Sequence, residues 1–520
     1  MHDVLWGARA LSRVLFLPTN CPWRNQYESI VIPKAQYEFL MRRVLTPKTA
    51  HYKILLSYLL WGGERFHDKS LLLPCNLIAN FIGYSESSNV NTGRLLQDFR
   101  HDVLGQIPGA VLEIEVHDWV EHKCRSVEAF HLGLLQAEFD VLGRTNGRFV
   151  RVRDMPSGSM VYLHDGSKFS RRRGQKLRRD RDNYYETNLG DAHPVSQKVL
   201  DTMHRIPGLV FSKRIAECFD RAVAEVERIK APHVRRSQEA ILRRIDVDPV
   251  PRYSHSLRDR THRVFANGHI PNLKRDIRMV FTEPWPEADL SCAQLAIASA
   301  ILGIKKTRVF LASGRSVWEE LLTPVNGLSG TQRQEVKSAI KTAMYSMLYL
   351  RKERKVQREL QKELDELKCK TPAAIFLAHW IFRELAEASQ IQARRLRNGH
   401  GLTDAFGQVH SADTGRSPSS VMAQVNQSYE LYLLEPVLDY VNERDAGGNF
   451  VVDPKEMRLV MWSHDGFNIA VRRKDQIFRY QEKLSSLVQE RAKQLGIPTR
   501  LEWNSFKLND KEETETGEHK

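Results

Sequence analysis

The chain of 520 residues lacks any Cys-x-x-Cys pair, its six cysteines being scattered at positions 21, 75, 124, 218, 292 and 369. That scatter argues against both a zinc module and a disulfide scaffold, and fits a reducing, cytoplasmic compartment. No apolar run approaches membrane length, so no membrane partner is expected. The opening residues MHDVLWGARALSRVLFL have an apolar run too short for a secretory signal, and Asp3 does not suit a transit peptide. They are read as part of the first domain. Acid is in short supply, with 63 Asp and Glu against 78 Lys and Arg. The resulting net charge of +15 predicts attraction to polyanions, nucleic acid first among them.

At 42% hydrophobic and 27% charged residues, the chain is long enough for two or three domains, each with its own core. Between Lys168 and Asp182 (KFSRRRGQKLRRDRD) eight of fifteen residues are basic, and Tyr184 and Tyr185 follow. This stretch, with Arg171, Arg172 and Arg173 at its centre, reads either as a solvated linker or as a phosphate-tracking segment with aromatics for stacking. Upstream, helices are expected at His51–Trp61, Cys75–Ile82 and Ser88–Leu104, and the alternation of Val111–Val116 predicts a strand. The last two helices, with Gly83 between them, have helix-turn-helix spacing. A winged helix with Asn89, Asn91, Arg94 and Arg100 as contacts is one reading, and ordinary helix packing is the other. Residues 190–248 are helical in pattern, and from Leu350 a highly charged helix is expected to Pro372, followed by an amphipathic helix to Arg397.

Three stretches carry the chemistry. In Glu287–Leu302 (EADLSCAQLAIASAIL) the pattern changes from extended to helical at Asp289, and Ser291 with Gln294 forms the S-x-x-Q of a capping box. Asp289 is thus expected at a strand-to-helix junction, as a metal ligand or as a plain turn residue. In Arg333–Leu350 the residues Arg333, Lys337, Lys341 and Tyr345 recur every four positions. Four residues advance a helix by about 400°, so they form one drifting stripe, suited to a triphosphate with a base beyond it or simply to a solvated face. In Met457–Val471 (MRLVMWSHDGFNIAV) two apolar strands flank an Asp-Gly turn, which places Asp465 at a hairpin tip. Two carboxylates from separate elements suit a pair of divalent ions serving in-line displacement at phosphorus.

In this order the three stretches resemble motifs A, B and C of the family A polymerases, a group that spans DNA polymerases and single-subunit RNA polymerases. Asp289-Leu290-Ser291 resembles D-x-S; Arg333, Lys337 and Tyr345 match R-x3-K-x7-Y; His464-Asp465 matches H-D. Weaker likenesses are Thr261-His262-Arg263, Pro271-Asn272-Leu273, Arg278 with Phe281, Thr403–Gly407 and Gln427, so that residues 255–475 are covered. Four positions depart from the pattern: Lys341 stands where the DNA polymerases have an aromatic, Ser346 where a Gly follows the Tyr, Gly466 where H-D-E has an acid, and Ala296 where an Arg lies.

The resemblance implies an α+β, multidomain right hand, with an antiparallel palm sheet, helical fingers and a helical thumb, behind a mixed α/β N-terminal domain. Its divisions would be 1–160 (N-terminal domain, with the winged helix as one reading), 161–250 (basic linker and thumb), 251–304 (palm, motif A), 305–410 (fingers), 411–507 (palm, motif C) and a disordered tail at 508–520. It implies a DNA polymerase without proofreading exonuclease, for the first 250 residues lack the paired D-x-E acids, working in replication or repair of a mobile element. Asp289, Asp465 and the carbonyl of Leu290 would hold two Mg²⁺, with Mn²⁺ as a substitute. Arg333 and Lys337 would hold the triphosphate, with Lys341 beside them, and Lys337 would protonate the leaving pyrophosphate. Tyr345 would stack at the nascent pair, and Gln294 would act as the sugar gate. His464, Arg263, Asn272 and Gln427 would touch the primer-template. The implied partners are DNA primer-template, with RNA as an alternative, nucleoside triphosphates and accessory replication proteins, and the chain would act as a monomer. Two other readings stand beside this one: a small RNA polymerase or primase, and a DNA-binding initiator or defence protein with a degenerate polymerase fold.

Overall fold

The computed structural model describes residues 31–43, the strands between 66 and 149 together with residue 142, and residues 155–156, 158–162 and 166–170. It also describes 192–504 except 231, 248, 256–260, 267–268, 326–328 and 413–415. The three helices expected between 51 and 104, Arg171–Arg173 and the tail at 508–520 therefore lie outside the described residues. The described chain mixes helices with antiparallel sheets and divides into two compact units.

The first unit contains residues 1–191, 206–254 and 266–281. The expected strand at 111–116 is present as Val111–His117, paired antiparallel with Cys124–Phe130 in a four-stranded sheet completed by Ser70–Pro74 and Phe66–His67. Val31–Pro33 pairs antiparallel with Met160–Tyr162, around a small cluster of Val31, Met160 and Tyr162. Two of the helices expected in 190–248 are here, at Gly208–Glu227 and Pro232–Val247.

The second unit holds residues 192–205, 255–265 and 282–520. Its elements begin with α1 (Pro194–His204) and β1 (Glu287–Leu290), followed by α2 (Ala293–Ile301), α3 (Lys305–Ala312) and α4 (Val317–Leu321). After these come α5 (Gly330–Leu348), α6 (Glu353–Glu366), α7 (Ala373–Leu377), α8 (Trp380–Arg397) and the ribbon β2 (Leu402–Thr403) with β3 (Val409–His410). The long α9 (Pro418–Asn442) leads to β4 (Met457–Trp462), β5 (Gly466–Val471), α10 (Ile477–Leu495) and β6 (Leu501–Asn504). A four-stranded antiparallel sheet, in the order β4-β5-β1-β6, is its frame. Leu459, Trp462, Phe467 and Ile469, which the register puts on one face across a bulge after Leu459, and the helix residues Leu484 and Val488 give it an apolar backing. Helices α2 to α8 surround a separate core that runs from Leu295 through Met344 and Leu360 to Leu385.

Three helix expectations are corrected. The expected capping box at Ser291 does not form: α2 starts at Ala293, and Cys292 before it takes a left-handed φ of 46° with no side-chain cap. Ser291 Oγ instead donates to Glu502 Oε1 at 2.5 Å, a tertiary partner that outcompetes the local one. The same S-x-x-Q pattern does cap α5, where Ser329 and Gln332 satisfy each other's backbone. The charged helix expected to continue from Leu350 starts only at Glu353, because Leu350 adopts φ 62° and closes α5 with hydrogen bonds from Leu350 N–H to Met347 and from Arg351 N–H to Ser346. The helix expected up to Arg397 is likewise two, α7 and α8.

Candidate active site

Strand β1 is central in its sheet, so Asp289 is held from both sides: its register partners are Gly466 on β5 and Glu502 on β6. At the end of the strand, Leu290 N–H donates to the carbonyl of Asp465 at 2.8 Å, and Ser291 N–H to that of Arg500 at 2.8 Å. The strand-to-helix junction and the hairpin tip, 176 residues apart in sequence, thus meet at one corner of one sheet. Asp289 and Asp465 are both half-buried there.

Gly466 explains its own departure from the sequence pattern. A Cβ at this position would collide with Asp289 Oδ1 and the carbonyl of Ala288, and would lie 3.1 Å from Asp289 Cα. The carboxylate of Asp289 therefore occupies the space that any side chain at 466 would need. Ala296 is fully buried inside α2, where an arginine would have no room.

Of the basic stripe, Arg333 is turned to Glu319, with Nη2 to Oε2 at 2.7 Å, whereas Lys337 and Lys341 lie near the β1–α2 junction. Their cationic field is felt by the Cys292 thiol, which burial and Glu502 push up and Lys341, Ser291 and Lys337 pull back. Lys337 Nζ lies 5.9 Å from the Trp318 ring centre and Lys341 Nζ 5.5 Å from that of Tyr345. Burial raises the Tyr345 hydroxyl far above its ordinary value, helped by Cys292 and Asp465, so it remains a protonated donor.

Gln294 is buried, and both ends of its amide are engaged. Nε2 donates to Glu430 Oε1, and Oε1 accepts from the hydroxyl of Tyr349 at 2.6 Å. Glu430 is 1% exposed, and its other oxygen receives Arg263, with Nε at 3.1 Å and Nη2 closer. Burial raises this carboxyl to about 7; Arg263 opposes that, Asp465 adds to it and the Gln294 amide opposes it. Glu430 and Tyr349 are site residues that sequence reasoning missed. Glu430 was signalled only as a lone acid in an apolar run (YELYLL), and Tyr349 only as the end of a second K-x7-Y that starts at Lys341.

Arg263 thus grips Glu430, and Gln427 Oε1 accepts from Thr261 Oγ1 at 2.6 Å. Between them, His262 reaches Asp404 at 3.1 Å, a buried carboxylate that also meets His410 at 2.8 Å and the N–H groups of Phe406 and Gln408. The two weakly matching segments, 261–263 and 403–407, are therefore clamped to each other and to α9. Asn272 belongs to the first unit, where its Oδ1 accepts from His269 N–H. His464 is exposed at the hairpin tip, edge-on to Phe265 with ring centres 5.3 Å apart. Surrounding protein and Arg263 lower its imidazole, Asp465 opposing them, so it is neutral at pH 7.

The donors at the corner are two carboxylates and neighbouring backbone carbonyls, which are hard oxygens and fit Mg²⁺. Among the described residues no cluster of three or more His, Cys, Asp or Glu is placed to form an all-protein cage. Mg²⁺ sites completed by substrate phosphates do not need one.

No protein-family model matches the chain, and no curated protein matches it. Among solved structures it has a weak similarity to the POL domain of Pol1 from M. smegmatis, in complex with DNA primer-template and dNTP. The identity is 11% and the TM-score 0.34, over 61% of this chain and 65% of that one, so the chain spans less than two thirds of that structure's length.

Proposed function

We propose that the chain is a template-directed nucleotidyltransferase, a DNA polymerase of the family A type, which joins a primer 3′-hydroxyl to the α-phosphorus of a dNTP and releases pyrophosphate. The observation that carries this reading is the meeting of Asp289 and Asp465 through the 2.8 Å bond from Leu290 N–H to the Asp465 carbonyl, beside a helix that brings Lys337, Lys341 and Tyr345. Asp289, Asp465 and the Leu290 carbonyl would hold two Mg²⁺ ions. When bound, these supply activation of the attacking hydroxyl and neutralise charge on the leaving pyrophosphate.

The protein's own groups do the rest. Lys337 and Lys341 bind the triphosphate, and Lys337 Nζ delivers a proton to the leaving pyrophosphate. Arg333 joins them on release from Glu319. Tyr345 stacks on the nascent base pair, and neutral His464 contacts the primer end. Gln294, large and fixed, takes the space of a ribose 2′-hydroxyl and favours dNTP. Arg263 and Gln427 work from beneath, shaping the floor on which the duplex rests. In domain terms, the sheet with its flanking helices is the palm, α3 to α8 the fingers and the helices at 208–247 part of the thumb.

The test is extension of primed and unprimed templates with labelled dNTPs and NTPs. Wild-type protein with Mg²⁺ is expected to extend primed DNA. Asp289→Ala and Asp465→Ala should each abolish incorporation while leaving nucleic-acid binding nearly intact, because they hold metal rather than duplex phosphates. Near-full activity in either variant would end the assignment.

A further inference from the structure

We propose that Glu430 is a positioning residue that fixes the polarity of the Gln294 amide, and so sets how strictly the site distinguishes deoxyribose from ribose; this rests on the polymerase reading above. A glutamine amide has two nearly isosteric orientations, one end a donor and the other an acceptor. At Gln294 the choice is imposed from both sides. Glu430 Oε1 accepts from Nε2 while Arg263 occupies the second oxygen, so a flipped amide would press its oxygen against a carboxyl oxygen. On the other side the Tyr349 hydroxyl donates to Oε1 at 2.6 Å.

Glu430 is in turn immobilised. It lies on α9, 1% exposed, with Arg263 holding its second oxygen through Nε and Nη2. Arg263 in turn follows Thr261 and His262, tied to Gln427 and Asp404. The chain from Arg263 through Glu430 and Gln294 to Tyr349 therefore joins α9, α2 and the end of α5 by direct hydrogen bonds. In this arrangement the outer face of Gln294 is offered as bulk, and its nitrogen is already committed to Glu430. A ribose 2′-hydroxyl entering beside it loses its water without gaining that donor, a penalty that a deoxyribose does not meet.

A glutamine at 430 can donate as well as accept, so Glu430→Gln frees the Gln294 amide to turn its nitrogen toward the sugar. The experiment measures kcat and KM for dNTP and NTP on a primed template, for wild type, Glu430→Gln, Tyr349→Phe, Gln294→Gly and the double variant Gln294→Gly with Glu430→Gln. The ratio of dNTP to NTP efficiency is expected to fall by about tenfold in Glu430→Gln, mainly through a lower KM for NTP, and less in Tyr349→Phe. In the Gln294→Gly background the change at 430 should have no further effect on the ratio, since Glu430 acts through Gln294. A ratio unchanged in both single variants, or an equal loss on both nucleotides, overturns the proposal and leaves the polymerase reading intact. If Glu430→Gln does not fold, Tyr349→Phe decides alone, because it removes only the hydroxyl on the opposite end of the amide. Wild-type protein that extends with neither nucleotide overturns the polymerase reading itself.

Discussion

Single atoms decide how this site is built, and Gly466 is the clearest case. Its missing side chain is what lets the hairpin approach the Asp289 carboxylate, so adding one methyl group should be felt as overpacking of backbone against backbone. Gly466→Ala is expected to destabilise the protein by about 1–3 kcal/mol and to depress incorporation strongly. Denaturant midpoints and extension rates, measured on the same preparation, check both. A second residue, Asp404, is a buried carboxylate with four donors. Burial alone would raise it, but the hydrogen bonds from His410, Gln408, Phe406 and His262 prevail and hold it below its ordinary value. A group with a depressed folded value stabilises above its unfolded pKa of about 4, and that contribution is lost as pH falls through the folded value. Stability should therefore decline on acidification below about pH 4, and Asp404→Asn should flatten that decline while costing about 1–3 kcal/mol at neutral pH. Urea unfolding across pH 3 to 7 would show it; an unaltered acid limb in the variant would remove Asp404 from the account.

Among the elements, α1, α5 and the hairpin of β4 and β5 were legible from periodicity, and the junction at Asp289 from the change of pattern around it. The boundaries that went unread share one cause. Leu350 and Lys368 both take left-handed φ values, 62° and 54°, in helix-ending motifs where the local signal would be a glycine. Without that glycine nothing in the sequence marks the end of α5. Lys368 is exposed, and the carbonyls of Asp365 and Leu364 accept from the amides of Lys368 and Cys369. Lys368→Gly should therefore stabilise the protein by about 1 kcal/mol, read as a raised Tm with unchanged activity. The capping box at 291 was misread for the opposite reason, since its two side chains had better partners 211 and 136 residues away. The polar network behind the site was illegible because its members, Arg263, Gln294, Tyr349 and Glu430, come from four separate segments, and only packing brings them together.

For the whole molecule, the polymerase reading together with the excess of positive charge predicts that association with nucleic acid gains from counterion release. Replacing Arg171, Arg172 and Arg173 together by alanine should weaken binding to all sequences alike and flatten the slope of log affinity against log salt. An unchanged slope would leave the segment as a linker. The second unit also has a topological debt: the strand bearing Asp289 obtains one of its two neighbours from β6, near residue 500, long after every other part of the site has been laid down. A stop codon in place of Arg500 would spare every candidate catalytic residue yet leave β1 an open edge, with unpaired amides ready to join another chain. Truncated copies should therefore be both inactive and prone to clump, so that a nonsense allele this late in the reading frame behaves as a null.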